Sequence, residues 1–600
     1  MTDQATSWSD AGGLSSRPLW VALAAGLVAF HLGLVVYGLV PNLVARPLHM
    51  AWILPFALVL GARTPFERAT GPVLAIAGLA ATLWVAGNAD RLGDQYGFLE
   101  GPFQTAVATV LLAVVIETAR RAIGWPLPLV AVAALLYGLL GQHLPGQFGH
   151  AGVPLASFLG TLTIAEGGLW GTLTAVSVNV VAVFVIFGAV LNAGQAGAGF
   201  MNLAAAAAGR LRGGAAKVSV IASALFGSIS GSASANVAST GAVTLPAMTR
   251  LGYPRRLSGA VEAVASSGGQ IMPPLMGAGA FVMVELTGTP YTAIMAAAAL
   301  PAALYFLAVW VGIDAYARHT PLPGIAPEDR PAARTVAVTA AFFLVPFTVL
   351  LWAMFGAGVT PELAAALATL AAALLLAADA RPGLDLAGAP GRVATALLTA
   401  ARQVALIGSI ILCASIVVGV LGITGLGVKL TALILEGSGG LLWPSLLLTA
   451  LACLLLGMEV PTTAAYVICV SVAGPALIAL GLAPLQAHLF VFWYALLSTI
   501  TPPVCGAVFI AAGMVGENWL RVAGTAMALG VGLYLVPLAM VAAPALLGLA
   551  ETPVAALLAF ARTGLGLALV SFGLLGGLGP LRGAALAALG VAAALWGAWA

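Results

Sequence analysis

Two stretches of this chain interrupt apolar sequence in the same way and at nearly the same internal spacing, which few folds accommodate. The first, from Lys217 to Met283, contains Phe226-Gly-Ser-Ile-Ser-Gly-Ser-Ala-Ser-Ala-Asn236 and then Gly268-Gly-Gln-Ile-Met-Pro-Pro274. The second contains Leu455-Leu-Gly-Met-Glu-Val-Pro-Thr-Thr463 and then Ser498-Thr-Ile-Thr-Pro-Pro503. Gly227 to Pro273 is 46 positions, Gly457 to Pro502 is 45, and Leu245-Pro246 of the first stretch answers Gly474-Pro475 of the second. Glycine and proline both weaken a helix interior. Irregular backbone at membrane depth survives only when buried in protein or lining a wet cavity. Matched Gly/Pro-interrupted segments in two halves therefore point to the binding site of a transporter built from internal repeats.

Composition puts that site in a membrane. Of 600 residues, 61% are hydrophobic and 7% charged, with mean hydropathy +1.08; a soluble domain carries about 25% charged residues. A net charge of +3 is too small to suggest a nucleic-acid partner. Cys413, Cys453, Cys469 and Cys505 lie singly in apolar sequence, without a metal or disulfide pattern. The polar start up to Arg17-Pro18 leads into an apolar run with no short h-region and cleavage site, so an uncleaved first span is expected.

The chain reads as an all-α polytopic membrane protein in three parts. Residues 1–122 form a four-helix module (about 19–40, 48–61, 72–87 and 103–120). Residues 123–540 form a permease with two repeats, about 172–310 and 404–540. Residues 541–600 add two apolar segments. Arg17, Arg63, Arg68, Arg120 and Arg121 fall on one side of the first four helices, Arg46 and Arg91 on the other. The positive-inside rule then puts the N-terminus in the cytoplasm. Residues 152–170 read as an amphipathic arm on the membrane surface. His143 and His150, in a Gly/Pro-rich loop, read as solvated. Loops at 314–334 and through Arg381, Arg392 and Arg402 fall on the cytoplasmic side, around two helices at 335–355 and 361–378.

In the first repeat, a helix over 217–226 is expected to break at Gly227-Ser-Ile-Ser-Gly231 and return from Ala233, as a re-entrant hairpin. Free amides at a half-helix N-terminus suit a carboxylate, and free carbonyls suit a cation. Gly227, Ser228, Ser230, Gly231, Ser232 and Asn236 are the candidate site residues here. Close helix packing through small residues is the alternative; it explains the glycines better than the asparagine or the prolines. Pro273-Pro274 implies a discontinuous helix. Glu262 and Glu285 flank it, either as intramembrane groups able to couple a proton or as interfacial residues. Glu459 sits at the proposed tip of the second hairpin and is a third such carboxylate.

These motifs resemble the large membrane subunit of TRAP (tripartite ATP-independent periplasmic) transporters. Phe226–Gly241 and Gly268–Pro274 carry the resemblance in the first half, Gly457–Tyr466 and Leu497–Pro503 in the second. The wording is most like the TAXI-type branch, with fused small and large subunits; 1–122 match the small subunit in position and helix count only. The resemblance implies an inverted-repeat, elevator-type secondary transporter with two re-entrant hairpins. It implies uptake of an organic anion, often a carboxylate, driven by sodium and supplied by a periplasmic binding protein. By motif match, Ser266, Ser267, Gly268, Gly269, Pro273 and Pro274, and Gly457, Glu459, Pro461, Thr462, Thr463, Thr499, Thr501, Pro502 and Pro503 join the candidate substrate and ion site. Asn236 stands where dicarboxylate-type relatives often have Asp, and Glu459 where a Gly is common, so a proton remains an alternative coupling ion. No cofactor is implied. An enzyme reading fails because Gly227-Ser-Ile-Ser-Gly231 is not G-x-S-x-G and no histidine evidently pairs with it. A channel would leave the repeated broken hairpins less well explained than alternating access does.

Overall fold

A computed structural model describes residues 18–378, 385–457 and 461–597. The regular elements among them are helices, and 10 are long and apolar enough to cross a membrane, or up to 11 if one bent pair counts as a single span. The N-terminal module comprises Pro18–Tyr37, Asn42–Leu60, Pro65–Gly87 and Gly101–Ile123. Its third helix opens with a capping box between Thr64 and Glu67. Glu67 and Glu117 both pair with Arg120, at 3.0 and 2.7 Å, and Arg121 pairs with Glu117 at 2.7 Å while donating to Leu58 O and Glu67 O. This gathers Arg63, Arg120 and Arg121 at one end of the module.

A 36-residue helix, Ala389–Thr424, is the spine of the molecule. At 1.5 Å per residue it is about 54 Å long, well beyond a 30 Å hydrocarbon core. It packs against Pro18–Tyr37, Gly101–Ile123, Pro126–Leu140 and Thr172–Ala193, and also against Thr462–Ala479. His49 ties the module to this frame: its Nδ1 meets His31 Nε2 at 2.7 Å and its Nε2 meets Ser177 Oγ at 3.0 Å, inside the π-helical turn of Thr172–Ala193.

The two repeats match in length through their returning arms and broken helices. Each hairpin returns through an 18-residue arm, Ala233–Arg250 and Thr462–Ala479, with proline at the same position, Pro246 and Pro475. Each broken helix has a 14-residue half, Arg255–Gly268 and Pro484–Leu497, then a Pro-Pro break, then a 10-residue half, Ala278–Thr287 and Gly506–Val515. The first arms are Gly214–Ser230 and Leu442–Leu456. The repeats interlock reciprocally: Ala233–Arg250 packs on Gly506–Val515, and Thr462–Ala479 packs on Ala278–Thr287.

Several expectations need correcting. The first hairpin arm continues through Gly227 and ends at Ser230, because Gly231 N still bonds to Gly227 O and Gly231 supplies the left-handed stop at φ +59°. One glycine inside a helix costs only about 1 kcal/mol, which packing overrides. The region 152–170 is not a free arm but is packed into the helix bundle. Helix Leu155–Thr163 packs on Gly101–Ile123 and on the spine, Phe158 and Leu162 are buried, and Trp170 is fully enclosed with its indole donating to Thr163 O at 2.6 Å. Arg392 and Arg402 lie on the spine helix instead of in a loop, Arg392 bridging to Asp385 at 2.8 Å; Arg381 lies outside the described residues. Helix Ala196–Ala208 was unread in sequence because an alanine-rich run has almost no hydrophobic periodicity; it packs on Ala333–Leu351.

The last two helices, Pro553–Leu575 and Pro580–Ala594, pair through glycines, and the first of them lies against Tyr291–Tyr316. A Cβ on Gly566 would fall 2.6 Å from Gly590 O, and one on Gly573 2.6 Å from Gly583 O. Backbones this close leave no room for side chains, the packing mode of small residues in membranes. Overpacking costs about 1–3 kcal/mol, so Gly566→Leu is expected to lower the melting temperature in detergent while Gly579→Ala, facing open space, leaves it unchanged. Equal melting of the two variants would refute the seam.

Candidate substrate and ion site

The site begins with two missing side chains. Gly227, on the first hairpin arm, and Gly269, at the break of the first discontinuous helix, lie backbone to backbone. A Cβ on either would sit 2.5 or 2.4 Å from the other's Cα. The buried Asn236 clamps this approach, its amide donating to Ser223 O at 2.9 Å and Ser266 O at 3.1 Å. Its donor is thus committed to backbone and does not face the tip. Ser228 is also turned inward, onto Leu225 O, and Gly268 makes room for the Tyr305 ring. What the tip offers is Ser230, Gly231 and Ser232: Ser230 Oγ is 3.4 Å from Ser232 O, and Ser232 caps the returning arm by accepting from Ala235 N. A Cβ on Gly231 would lie 3.3 Å from Gly277 Cα, at the start of Ala278–Thr287, and one on Gly506 3.8 Å from Ser234 Oγ. Three helix N-termini therefore meet around Gly231–Ser234, presenting partial positive charge.

The second repeat reproduces the contact with different atoms. Gly457 lies against Ser498, which stands in register with Gly269; a Cβ on Gly457 would be 2.3 Å from Ser498 Oγ, and that hydroxyl donates to Gly457 O at 3.0 Å. Pro461 precedes the returning arm, Thr462 is buried and Thr463 half-buried in its first turn. Met458, Glu459 and Val460 lie outside the described residues. At the breaks, Pro273–Pro274 and Pro502–Pro503 are both cis. Thr501 Oγ1 is 2.7 Å from Tyr534 OH. The two breaks touch directly: Ser267 Oγ is 2.9 Å from Thr499 Oγ1, across 232 positions of sequence.

Gln270 is the residue that sequence reasoning passed over. It is nearly fully buried in the break, and its Nε2 has no hydrogen-bond partner among the described residues. It lies three positions before Pro273, as Thr499 lies three before Pro502, and that register was the available signal. The two flanking carboxylates separate. Glu285 is exposed on the far half-helix, near enough to Arg46 to act on it electrostatically. Glu262 is wholly buried within the protein, held by Ser219, Thr240, Thr244 and Ser266. Among the described residues no group of three or more His, Cys, Asp or Glu gathers as a metal centre.

The family model for the tripartite ATP-independent periplasmic transporter, DctM component, matches residues 110–555. The chain belongs to this family. Over 336 residues it is 26% identical to the C4-dicarboxylate TRAP transporter large permease protein DctM of Pseudomonas aeruginosa, covering 56% of this chain and 76% of that one. It is 31% identical over 175 residues to the isethionate TRAP transporter permease protein DctMQ of Oleidesulfovibrio alaskensis (26% and 28% covered). It is 34% identical over 139 residues to the uncharacterized protein YgiK of Salmonella typhimurium (23% and 31%). The chain thus spans under a third of DctMQ and of YgiK. Family and helices together make this TRAP permease a multi-pass protein of the bacterial inner membrane, and the relatives DctM and DctMQ are named as transport permeases.

Two substitutions separate packing from ligand contact. Asn236→Ala removes two buried hydrogen bonds, to Ser223 O and Ser266 O, each worth about 0.5–1.5 kcal/mol, and is expected to lower the melting temperature in detergent. Gln270→Leu removes an amide that bonds nothing and is expected to melt with or above wild type while impairing substrate uptake. Unimpaired uptake by Gln270→Leu would remove Gln270 from the site.

Proposed function

We propose that this chain carries out secondary active uptake of an organic anion, a carboxylate by preference, from a periplasmic substrate-binding protein into the cytoplasm. The observation that carries this reading is the junction of the two breaks at Ser267 and Thr499, with each hairpin packed on its own break. It is a single polar locus built from both halves of an internal repeat, where transporters of this construction bind their cargo. The helix N-termini around Gly231–Ser234 and the unpartnered Gln270 amide suit a carboxylate. The tip hydroxyls of Ser230 and Ser232, with backbone carbonyls beside the breaks, suit a cation without a protein carboxylate, so sodium is the favoured coupling ion.

In the proposed cycle the repeats move as one elevator-like body against a scaffold of the N-terminal module and the spine helix. Residues 1–122 serve as a fused small subunit, and the end of the module carrying Arg63, Arg120 and Arg121 faces the cytoplasm. The relatives' names mention a C4-dicarboxylate and isethionate; both are small organic anions, in keeping with this reading.

Reconstitution into proteoliposomes with the cognate binding protein and a panel of labelled carboxylates and sulfonates tests it. Accumulation that needs both the binding protein and an inward sodium gradient is expected, and Ser267→Ala combined with Thr499→Val is expected to abolish it without loss of folded protein. Uptake indifferent to the binding protein would overturn the tripartite reading; uptake that equilibrates without accumulating would mean a passive pore.

A further inference from the structure

We propose that Glu262 is a proton-exchanging site of the first repeat, separate from the hairpin tips, so that the permease binds and releases a proton in addition to any cation held at the tips. This rests on the transporter reading above and adds to it. Glu262 lies six residues before the break, about 9 Å along the helix. Four hydroxyls surround it: Ser219 at 2.7 Å from Oε2 and Ser266 at 3.2 Å from Oε1, with Thr240 on Oε1 and Thr244 on Oε2. Among the described residues no basic group joins them. Of the elements packed on its helix, the hairpin arms carry Lys217, which pairs with Asp314 at 2.6 Å, and Arg250, which is exposed. Tyr291–Tyr316 carries that Asp314 and Tyr305, which donates to Val264 O. Pro484–Leu497 carries His488, bonded to Tyr466, and Tyr494, bonded to Tyr534 O. Trp519–Leu529 carries Arg521, exposed beside Glu517. Gly506–Val515 carries no charged residue, and on Glu262's own helix Arg255 and Arg256 are exposed.

A buried carboxylate without a counter-charge is costly unless it takes up a proton or a cation. The surrounding hydroxyls are arranged for both protonation states. Each has one proton to give. When Glu262 is ionised, all four can point at it. When it is protonated, Thr240 has Asn236 O at 2.8 Å as an alternative acceptor, Thr244 has Thr240 O at 3.0 Å, and Ser266 has Ser223 Oγ at 3.3 Å. Taking up a proton forms one O–H bond on the carboxylate, and rotation of hydroxyls accommodates it with no backbone movement.

The second repeat is the internal control. In register with Glu262, Thr240 and Ser266 it has Val491, Cys469 and Ala495, all buried. The same backbone is thus built without a carboxylate, and the polar cluster is not a requirement of the fold.

Glu262→Gln keeps the size and hydrogen bonding of the side chain but cannot exchange a proton. Infrared difference spectra between the purified wild type and Glu262→Gln, taken across a pH titration, are expected to show one carboxylic-acid carbonyl band that titrates reversibly in the wild type and is missing in the variant. Absence of the band, or its survival in the variant, would overturn the proposal. In proteoliposomes, Glu262→Gln is expected to retain binding-protein-dependent exchange of a labelled carboxylate and to lose the part of accumulation driven by a pH gradient. Retention of that part would overturn the proposal, as would loss of exchange in a protein that melts with wild type. If no carboxylate is transported by wild type, the uptake reading fails while the infrared result still decides the assignment of Glu262.

Discussion

The contact on which the rest of the site depends is between two alpha carbons that bear no side chains, Gly227 and Gly269. Because neither position carries a Cβ, the hairpin arm and the broken helix meet backbone to backbone. Asn236 then reaches both strands of chain at Ser223 O and Ser266 O, and the hairpin tip is delivered to the N-terminus of the half-helix beyond the break. Were the arm held a side chain's width away, the helix N-termini around Gly231–Ser234 would no longer converge and the break would stand open to its surroundings. Irregular backbone inside a membrane has to be covered by protein, and this contact supplies the cover.

The two repeats solve that problem with one backbone and two chemistries. Segment lengths agree through both returning arms and both broken helices, yet Gly227 against Gly269 becomes Gly457 against Ser498, and the carboxylate with its Thr240 and Ser266 hydroxyls becomes Val491, Cys469 and Ala495. Duplication with divergence leaves the half that kept its polar interior with a chemistry the other half lacks. The asymmetry separates what the architecture demands, which both repeats share, from what transport adds.

Much of this was legible before any coordinates. The spacing from hairpin glycine to proline pair, 46 and 45 positions, marks the repeat because helix breakers inside apolar sequence are rare and informative. Hydropathy located the spans for the same reason it does in any bilayer protein. Where the reading slipped, local signals were weak or were overridden by packing. Gly227 looked like a break and is a contact point inside a continuous helix. The stretch 152–170 looked amphipathic and is an internal joint whose polar backbone is satisfied by Trp170 and its neighbours. His31, His49 and Ser177 are separated by 18 and 128 positions and carry no motif, so nothing in the sequence links them.

The sequence by itself determined the membrane class and the two matched sets of helix breaks, because hydropathy and helix-breaking residues act locally and leave a record in residue order. Tertiary structure decided which of the candidates face one another. Ser267 and Thr499 meet across the repeats, the Asn236 amide clamps two backbone segments, Glu285 is exposed, and Glu262 goes into a closed shell of hydroxyls. Those outcomes depend on the rotation and depth of each helix within the bundle, and these are set by the sum of many packing contacts between segments far apart in the chain.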